Sequence, residues 1–167
     1  MNSDVKMRIM QADGANNCAL LEAYLKLFND AENLPFLSYT GIPFSRELVA
    51  GWLADAAQCG IEYYTAVNED GDIKGIMVTR HHNAENYELF SLVVDRNERH
   101  AGLGSALIET AIHKARDNGF KAVDIAVFAD NARMLSLVIR HGFKPVRIEA
   151  RKRFDGEDVV YLRKYGI

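Results

Sequence analysis

Residues 87–105 constrain this chain more than any other stretch. An apolar strand, Tyr87 to Val94, runs through a short charged turn into Arg99-x-x-Gly102-x-Gly104, where a helix begins. A helix start carries unpaired backbone N–H groups and a partial positive charge, and glycines without a Cβ let a bulky anion come close to that end. Strand, glycine turn and helix in this order deliver a helix onto the face of a sheet and form a cradle for phosphate at its mouth.

The remaining elements follow from hydrophobic period. Val5 to Met10 reads as an opening strand. Asn17 to Phe28 reads as a helix with Leu20, Leu21, Tyr24, Leu25 and Phe28 on one face. Asp30 to Phe44 holds Pro35, Gly41 and Pro43 beside Phe36, Leu37, Tyr39 and Phe44, and is expected to be an apolar loop that does not face water entirely. Ser45 caps a helix from Arg46 to Gln58 that Gly60 stops. The period then changes to two: Glu62–Val67 and Ile73–Thr79 form a hairpin, and Tyr87–Val94 adds a third strand. Gly102 to Asn118 is a helix with a stripe of Leu103, Leu107, Ile108, Ala111, Ile112 and Ala115, followed by a strand over Val123–Phe128. Asn131 to His141 is a helix apolar over most of its circumference, and strands Phe143–Arg153 and Val159–Lys164 close the chain. The order is βααβββαβαββ in one domain, 1–167. This is an α/β (α+β) fold with a mixed, partly parallel sheet of about seven strands and helices on both faces.

Composition narrows the function classes. A chain of 167 residues buries about 70% of its unfolded surface and needs no disulfide or metal staple. Twenty Lys and Arg against 23 Asp and Glu leave a net charge of −3, which gives nucleic acid no bulk attraction. Cys18 and Cys59 stand far apart with no Cys or His at ligand spacing, so both are expected to be small buried hydrophobes and no metal is expected. Neither a signal peptide nor an apolar run long enough to span a bilayer is present, so the expected setting is cytoplasmic, without a membrane partner.

A dinucleotide-binding fingerprint fails because Leu107 holds the place of its third glycine, and a P-loop fails for want of Gly-Lys-Ser/Thr. The strand leading into Arg99-x-x-Gly102-x-Gly104, together with Asn131 before an apolar helix that ends in Gly142-Phe143, resembles the GNAT superfamily of N-acetyltransferases. The resemblance covers Tyr87 to Phe143, with element order agreeing elsewhere. It implies acetyl-coenzyme A as co-substrate. Backbone N–H groups of Arg99, His100, Ala101, Gly102, Leu103, Gly104 and Ser105 would hold the pyrophosphate. The backbone of Leu92, Val93 and Val94 would pair with the pantetheine arm, and Asn131 would touch or order that arm while capping its helix.

In the histone-modifying branch of the superfamily the catalytic glutamate lies eleven residues before the Arg/Gln of the motif, and Glu88 has that spacing to Arg99. Glu88 is therefore the expected general base, partly buried against Phe90 and Leu92, with the Leu92 N–H polarising the thioester carbonyl. Many members place a tyrosine seven residues after the asparagine to protonate the leaving thiolate; here that residue is Val138. Ser136 is too weak an acid to replace it, and Tyr39, Tyr161 and Tyr165 are candidates from elsewhere. His81, His82 and His100 read as surface histidines, while Arg133 and Arg140 are placed to reach phosphates or simply face solvent. The activity implied is acetyl transfer to a primary amine, on a small molecule, a protein N-terminus or a lysine. The alternative is a sensor that binds acetyl-coenzyme A without catalysis. Leu34–Phe44, the end of the Glu62–Thr79 hairpin and Phe154–Tyr161 are expected to line the acceptor pocket, and the resemblance also admits a homodimer.

Overall fold

The computed structural model describes residues 7–15, 17–81 and 85–167. Strands β1 (Arg8–Ala12), β2 (Ile61–Val67), β3 (Ile73–Arg80), β4 (Tyr87–Val94), β5 (Ala122–Phe128), β6 (Lys144–Glu149) and β7 (Val159–Tyr165) form one sheet in the order β1-β2-β3-β4-β5-β7-β6. The β4–β5 pair is parallel and the other neighbours are antiparallel. Helices α1 (Cys18–Phe28), α2 (Arg46–Asp55), α3 (Leu103–Asp117) and α4 (Ala132–Arg140) complete the expected order.

Period-two alternation divides the apolar side chains between two cores. Tyr63, Ile76, Val78 and Val93 turn to one face, where they meet Leu20, Tyr24, Leu27 and Phe28 of α1 with Val49 and Leu53 of α2. Their strand neighbours Tyr64, Met77, Tyr87 and Leu89 turn to the other, against the α3 stripe Leu103, Leu107, Ile108, Ala111, Ile112 and Ala115. Each face thus exists because successive Cβ atoms leave a strand on opposite sides. The hydroxyl or amide side chains of Asn17, Ser45 and Asn131 accept hydrogen bonds from Leu20, Leu48 and Met134 N–H groups, capping α1, α2 and α4.

Several expectations are corrected. The first strand is Arg8–Ala12, shifted along the chain by its pairing with Tyr63–Val67; Val5 and Lys6 lie outside the described residues. Helix α2 ends at Asp55 because the chain then turns: Ile61 N–H bonds the Ala56 carbonyl at 2.9 Å and Gly60 takes φ +63°. Strand β6 stops at Glu149, since Arg151 enters the left-handed region at φ +53° and its N–H bonds Asp158. Helix α4 buries Val138 alone and leaves Ala132, Arg133, Ser136, Ile139 and Arg140 exposed, so its apolar residues make one face and not most of the circumference. Cys18 and Cys59 are both exposed: Cys18 opens α1 on the side away from the Leu20–Tyr24–Leu27 face, and Cys59 sits in the turn after α2.

Buried phenols make stability depend on alkaline pH. Tyr63 and Tyr87 are almost wholly enclosed, and burial, the largest cause for both, pushes each hydroxyl up to about 12. An unfolded tyrosine ionises near pH 10, so these side chains contribute stability fully below that pH and lose it as pH rises through their folded values. We expect denaturant melts to show a stability loss that steepens between pH 10 and 12, with Tyr63→Phe and Tyr87→Phe each making it shallower.

Candidate active site

The parallel pair β4–β5 is short. Tyr87, Glu88 and Leu89 pair with Val123, Asp124 and Ile125, and beyond them the strands part. On its other side β4 changes register against β3: Val78 faces Ser91 while Thr79 faces Leu89, so Phe90 is an extra residue. A bulge of this kind bends and twists its strand, and here it coincides with the point where β4 leaves β5. The edge from Phe90 to Val94 that faces β5 therefore has no strand partner. Leu92, Val93 and Val94 all lie on it and line a cleft of about 1560 Å³.

At the far end of that edge the chain passes Arg96–Glu98 and enters α3. Unlike the other three helices, α3 has no side-chain cap, and Gly102 stands at its N-cap with φ +81°. The orphan N–H groups of its first turn, Leu103, Gly104 and Ser105, lie where His100, Gly102, Leu103, Gly104 and Ser105 line the cleft. Gly102 is required by its backbone conformation, since an added Cβ would meet nothing within 4 Å. Gly104 sits close to α4: an added Cβ would stand 3.1 Å from the end of the Leu137 side chain, which would have to shift slightly to admit it. His100 is exposed and left-handed, with φ +70°. Ala101 is exposed in the same turn.

Arg99 brings its side chain inward. The guanidinium donates to Glu32 and, at 2.7 Å, to Asn33 Oδ1, and only 15% of the side chain is exposed. Asn33 is itself buried and donates to the Leu27 carbonyl. The side chain of Arg99 thus braces the loop after α1. Asn131 caps α4 and also lines the cleft, as do Arg133 and Arg140.

Glu88 occupies the last paired stretch of β4 and reaches the cleft. Its surroundings differ from the apolar ones expected: Arg80 stands opposite it in register and contacts Glu88 Oε2 at 2.6 Å, while Phe90 is half-exposed beneath the Arg80 guanidinium. Beside Glu88 in the parallel register stands Asp124, which takes two hydrogen bonds from Arg163 at 2.6 and 2.9 Å. Two carboxylate residues are therefore register neighbours where β4 and β5 part, and each is paired with an arginine from the strand on its other side, β3 or β7. Val138 is wholly buried and away from the cleft, whereas Tyr39 and Tyr161 line it. Burial, helped by neighbouring Tyr161, Glu149 and Glu88, raises the Tyr39 hydroxyl above its ordinary value. Burial and the hydrogen bond it donates to Glu149 raise Tyr161. Tyr165 and Ser136 do not line the cleft.

The roof is the apolar loop of residues 30–44, with Leu48 and Trp52 of α2. Arg153, 6% exposed, fastens it: one guanidinium bonds Asp130, Asp155 and the Pro35 carbonyl and lies 4.8 Å above the Phe128 ring. The Phe154 N–H bonds the Tyr39 carbonyl at 2.9 Å. The Leu34–Phe44 loop, the hairpin residues Tyr63 and Val78, and Val159 and Tyr161 are thus brought together as expected, while the sequence does not anticipate Arg80 in the lining, Arg153 behind the roof, or the Asp124–Arg163 pair beside Glu88 but outside the cleft. An arginine closing β3 and a glutamate opening β4 are a visible signal for the first of these, but only a known register makes them partners.

His81 is partly buried, stacked on Tyr87 with ring centroids 5.9 Å apart; His82 lies outside the described residues. Among the described residues no group of three His, Cys, Asp or Glu side chains is arranged to hold a metal ion, and no helix is long and apolar enough to cross a membrane.

Comparison with known proteins agrees with this architecture. The Acetyltransferase (GNAT) family matches residues 21–143. Solved structures of similar fold include a putative acetyltransferase from Acinetobacter baylyi ADP1 (20% identity, 96% of this chain and 93% of that one, TM-score 0.81). A GNAT superfamily phosphinothricin acetyltransferase from Sinorhizobium meliloti, in complex with AcCoA, is similar at 16% identity over 95% and 88% of the two chains, TM-score 0.80. A ribosomal-protein-alanine N-acetyltransferase from Brucella melitensis is similar at 22% identity over 95% and 99%, TM-score 0.75. The chain belongs to the GNAT acetyltransferase family, and its class is that of the acetyltransferases.

Arg153 ties three segments at the cleft through charge-assisted bonds, each contributing about 1.5–3 kcal/mol at most, with the half-exposed Asp130 and Asp155 at the low end. Arg153→Ala is expected to lower unfolding free energy in urea by about 2 kcal/mol or more. A loss within about 0.5 kcal/mol would mean that the roof holds without this tie.

Proposed function

We propose that the protein transfers the acetyl group of acetyl-coenzyme A to a primary amine by direct attack. The observation that carries this reading is the continuous path from the unpaired edge of β4 to the uncapped start of α3. An amide-bearing pantetheine arm can bond that edge as a further strand would, through Leu92–Val94, and a pyrophosphate suits free N–H groups at a helix start. Arg99, His100, Ala101, Gly102, Leu103, Gly104 and Ser105 would supply the cradle, and Asn131 would flank the arm from the start of α4. The residues fit the group. A like fold that holds AcCoA in the Sinorhizobium protein supports the reading.

The chemistry then falls at the parting of the strands. The amine nitrogen attacks the thioester carbonyl carbon, a C–N bond forms, the C–S bond breaks and sulfur leaves as thiolate. Glu88 takes the proton that the amine must lose, and the Leu92 N–H polarises the carbonyl oxygen. Tyr39, protonated at neutral pH, faces the same cleft and returns a proton to the thiolate, so the role left empty by Val138 is filled from the roof loop. Holding both substrates in line supplies much of the acceleration. One domain, 1–167, carries both halves of the site, and the reading includes a cytoplasmic setting.

Calorimetric titration with acetyl-coenzyme A, with NAD and ATP as controls, tests the binding half. We expect selective binding, and its loss in Gly104→Glu, which sets a carboxylate at the helix start and crowds Leu137; tight binding by a folded variant would refute the cradle. Glu88→Gln is expected to bind the coenzyme normally while slowing thiol release about 10²-fold near neutral pH. Unchanged turnover across pH 6–9 would remove Glu88 from the proton transfer.

A further inference from the structure

The Arg80–Glu88 pair is only half used by its own two members. Arg80 sends Nε and Nη2 to a single oxygen, Glu88 Oε2, at 2.9 and 2.6 Å, and its guanidinium rests 4.7 Å over the Phe90 ring. Among the described residues, Arg80 Nη1 and Glu88 Oε1 make no hydrogen bond. Both side chains line the cleft, with 43% and 25% of their surfaces exposed. An ion pair and an aromatic face therefore fix the guanidinium in place, leaving a donor edge and an acceptor oxygen side by side where the strands part. A fixed guanidinium edge is suited to a carboxylate, which it meets with planar N–H groups.

This arrangement discriminates among amines. An acceptor bearing only a cationic nitrogen would find Glu88 already shared and a guanidinium repelling it from the next position. One that carries a carboxylate a single carbon from the nitrogen presents both charges to their complements at once. The rim adds a second feature: Phe36, Ile42, Leu48 and Trp52 are large apolar side chains left 37–67% exposed around the mouth. Large apolar groups clustered at a cleft mark a place for an apolar ligand body.

We propose that the acceptor is a free α-amino acid with an apolar side chain, its carboxylate on Arg80, its nitrogen at Glu88 Oε1 and its side chain under the roof loop. The inference rests on the acetyltransferase reading above. The ammonium gives one proton to Glu88, the neutral nitrogen bonds the acetyl carbon as the C–S bond breaks, and the second proton then leaves the nitrogen to solvent. The thiolate takes a proton from Tyr39 or solvent, and the N-acetyl product keeps its carboxylate on the guanidinium. Arg80 is then the residue that sets acceptor specificity.

The test compares kcat/KM for L-leucine with leucinamide, isoamylamine and the dipeptide Leu-Gly, following thiol release, in the native protein, Arg80→Gln and Arg80→Lys. The free acid is expected to lead the other three by about tenfold to a hundredfold, the range of a charge-assisted hydrogen bond. That ratio collapses toward one in Arg80→Gln and recovers only partly in Arg80→Lys, which keeps the charge without the fork. Because it is a ratio within one variant, a general loss of activity through Glu88 does not move it. Equal use of acid and amide, preference for the dipeptide, or a ratio that survives Arg80→Gln would overturn the inference. Binding of acetyl-coenzyme A with no turnover of any amino acid would overturn it while leaving the coenzyme site standing. Failure to bind acetyl-coenzyme A would overturn the reading beneath it.

Discussion

Between Leu89 and Ser91 the β4 strand carries one residue more than β3 opposite it, and the rest of the site follows from that surplus. The bulge turns β4 away from β5 after three paired residues, so a sheet that is continuous at one end opens at the other. An opened sheet leaves unpaired backbone groups, which are costly when buried without a partner. Here they face a cleft in which water or a ligand can satisfy them. The same divergence lets the chain leave β4 toward α3 with its glycine turn at the mouth. Strand edge and helix start thereby become one continuous surface of backbone donors and acceptors.

Charge is arranged to match. Arg80, Glu88, Asp124 and Arg163 stand in neighbouring strands where β4 and β5 part, Arg80 and Glu88 in the cleft and Asp124 and Arg163 outside it, so that each carboxylate is paired with an arginine of the strand beside it. The roof is fastened in a similar way: Arg99 holds Glu32 and Asn33 at one end, and Arg153 holds Asp130, Asp155 and the Pro35 carbonyl at the other. Both arginines are largely buried, and both join segments far apart in the chain. The loop over residues 30–44 is therefore part of the same body as the glycine turn before α3, although its own sequence has the prolines and glycine of an irregular segment.

Much of this was readable in advance because the signals are local. Side-chain period gave Tyr87–Val94 and the α3 stripe residue for residue, and Asn17, Ser45 and Asn131 marked helix starts by a hydrogen bond that spans three residues. Misreadings arose where long-range contacts decide. The apolar period over Phe143–Arg153 predicts one strand, but the turn around Arg151 ends it at Glu149. Cys18 and Cys59 looked like core residues, but exposure depends on which helix face meets the sheet. The sequence alone shows that Val138 lacks a phenol. That it is buried, and that Tyr39 and Tyr161 face the cleft instead, required the packing of α4 and of the roof.

The sequence by itself determined the order of elements and the glycine turn before α3 with its uncapped helix start, since each depends on neighbours within a few residues. Tertiary structure decided what surrounds Glu88. Its partner Arg80 is set by a register that one bulged residue shifts, and its neighbour Asp124 is set by a parallel pairing between strands separated by a whole helix. Registers of that kind are fixed by the sum of many weak contacts between distant segments, and no short stretch of chain encodes them alone.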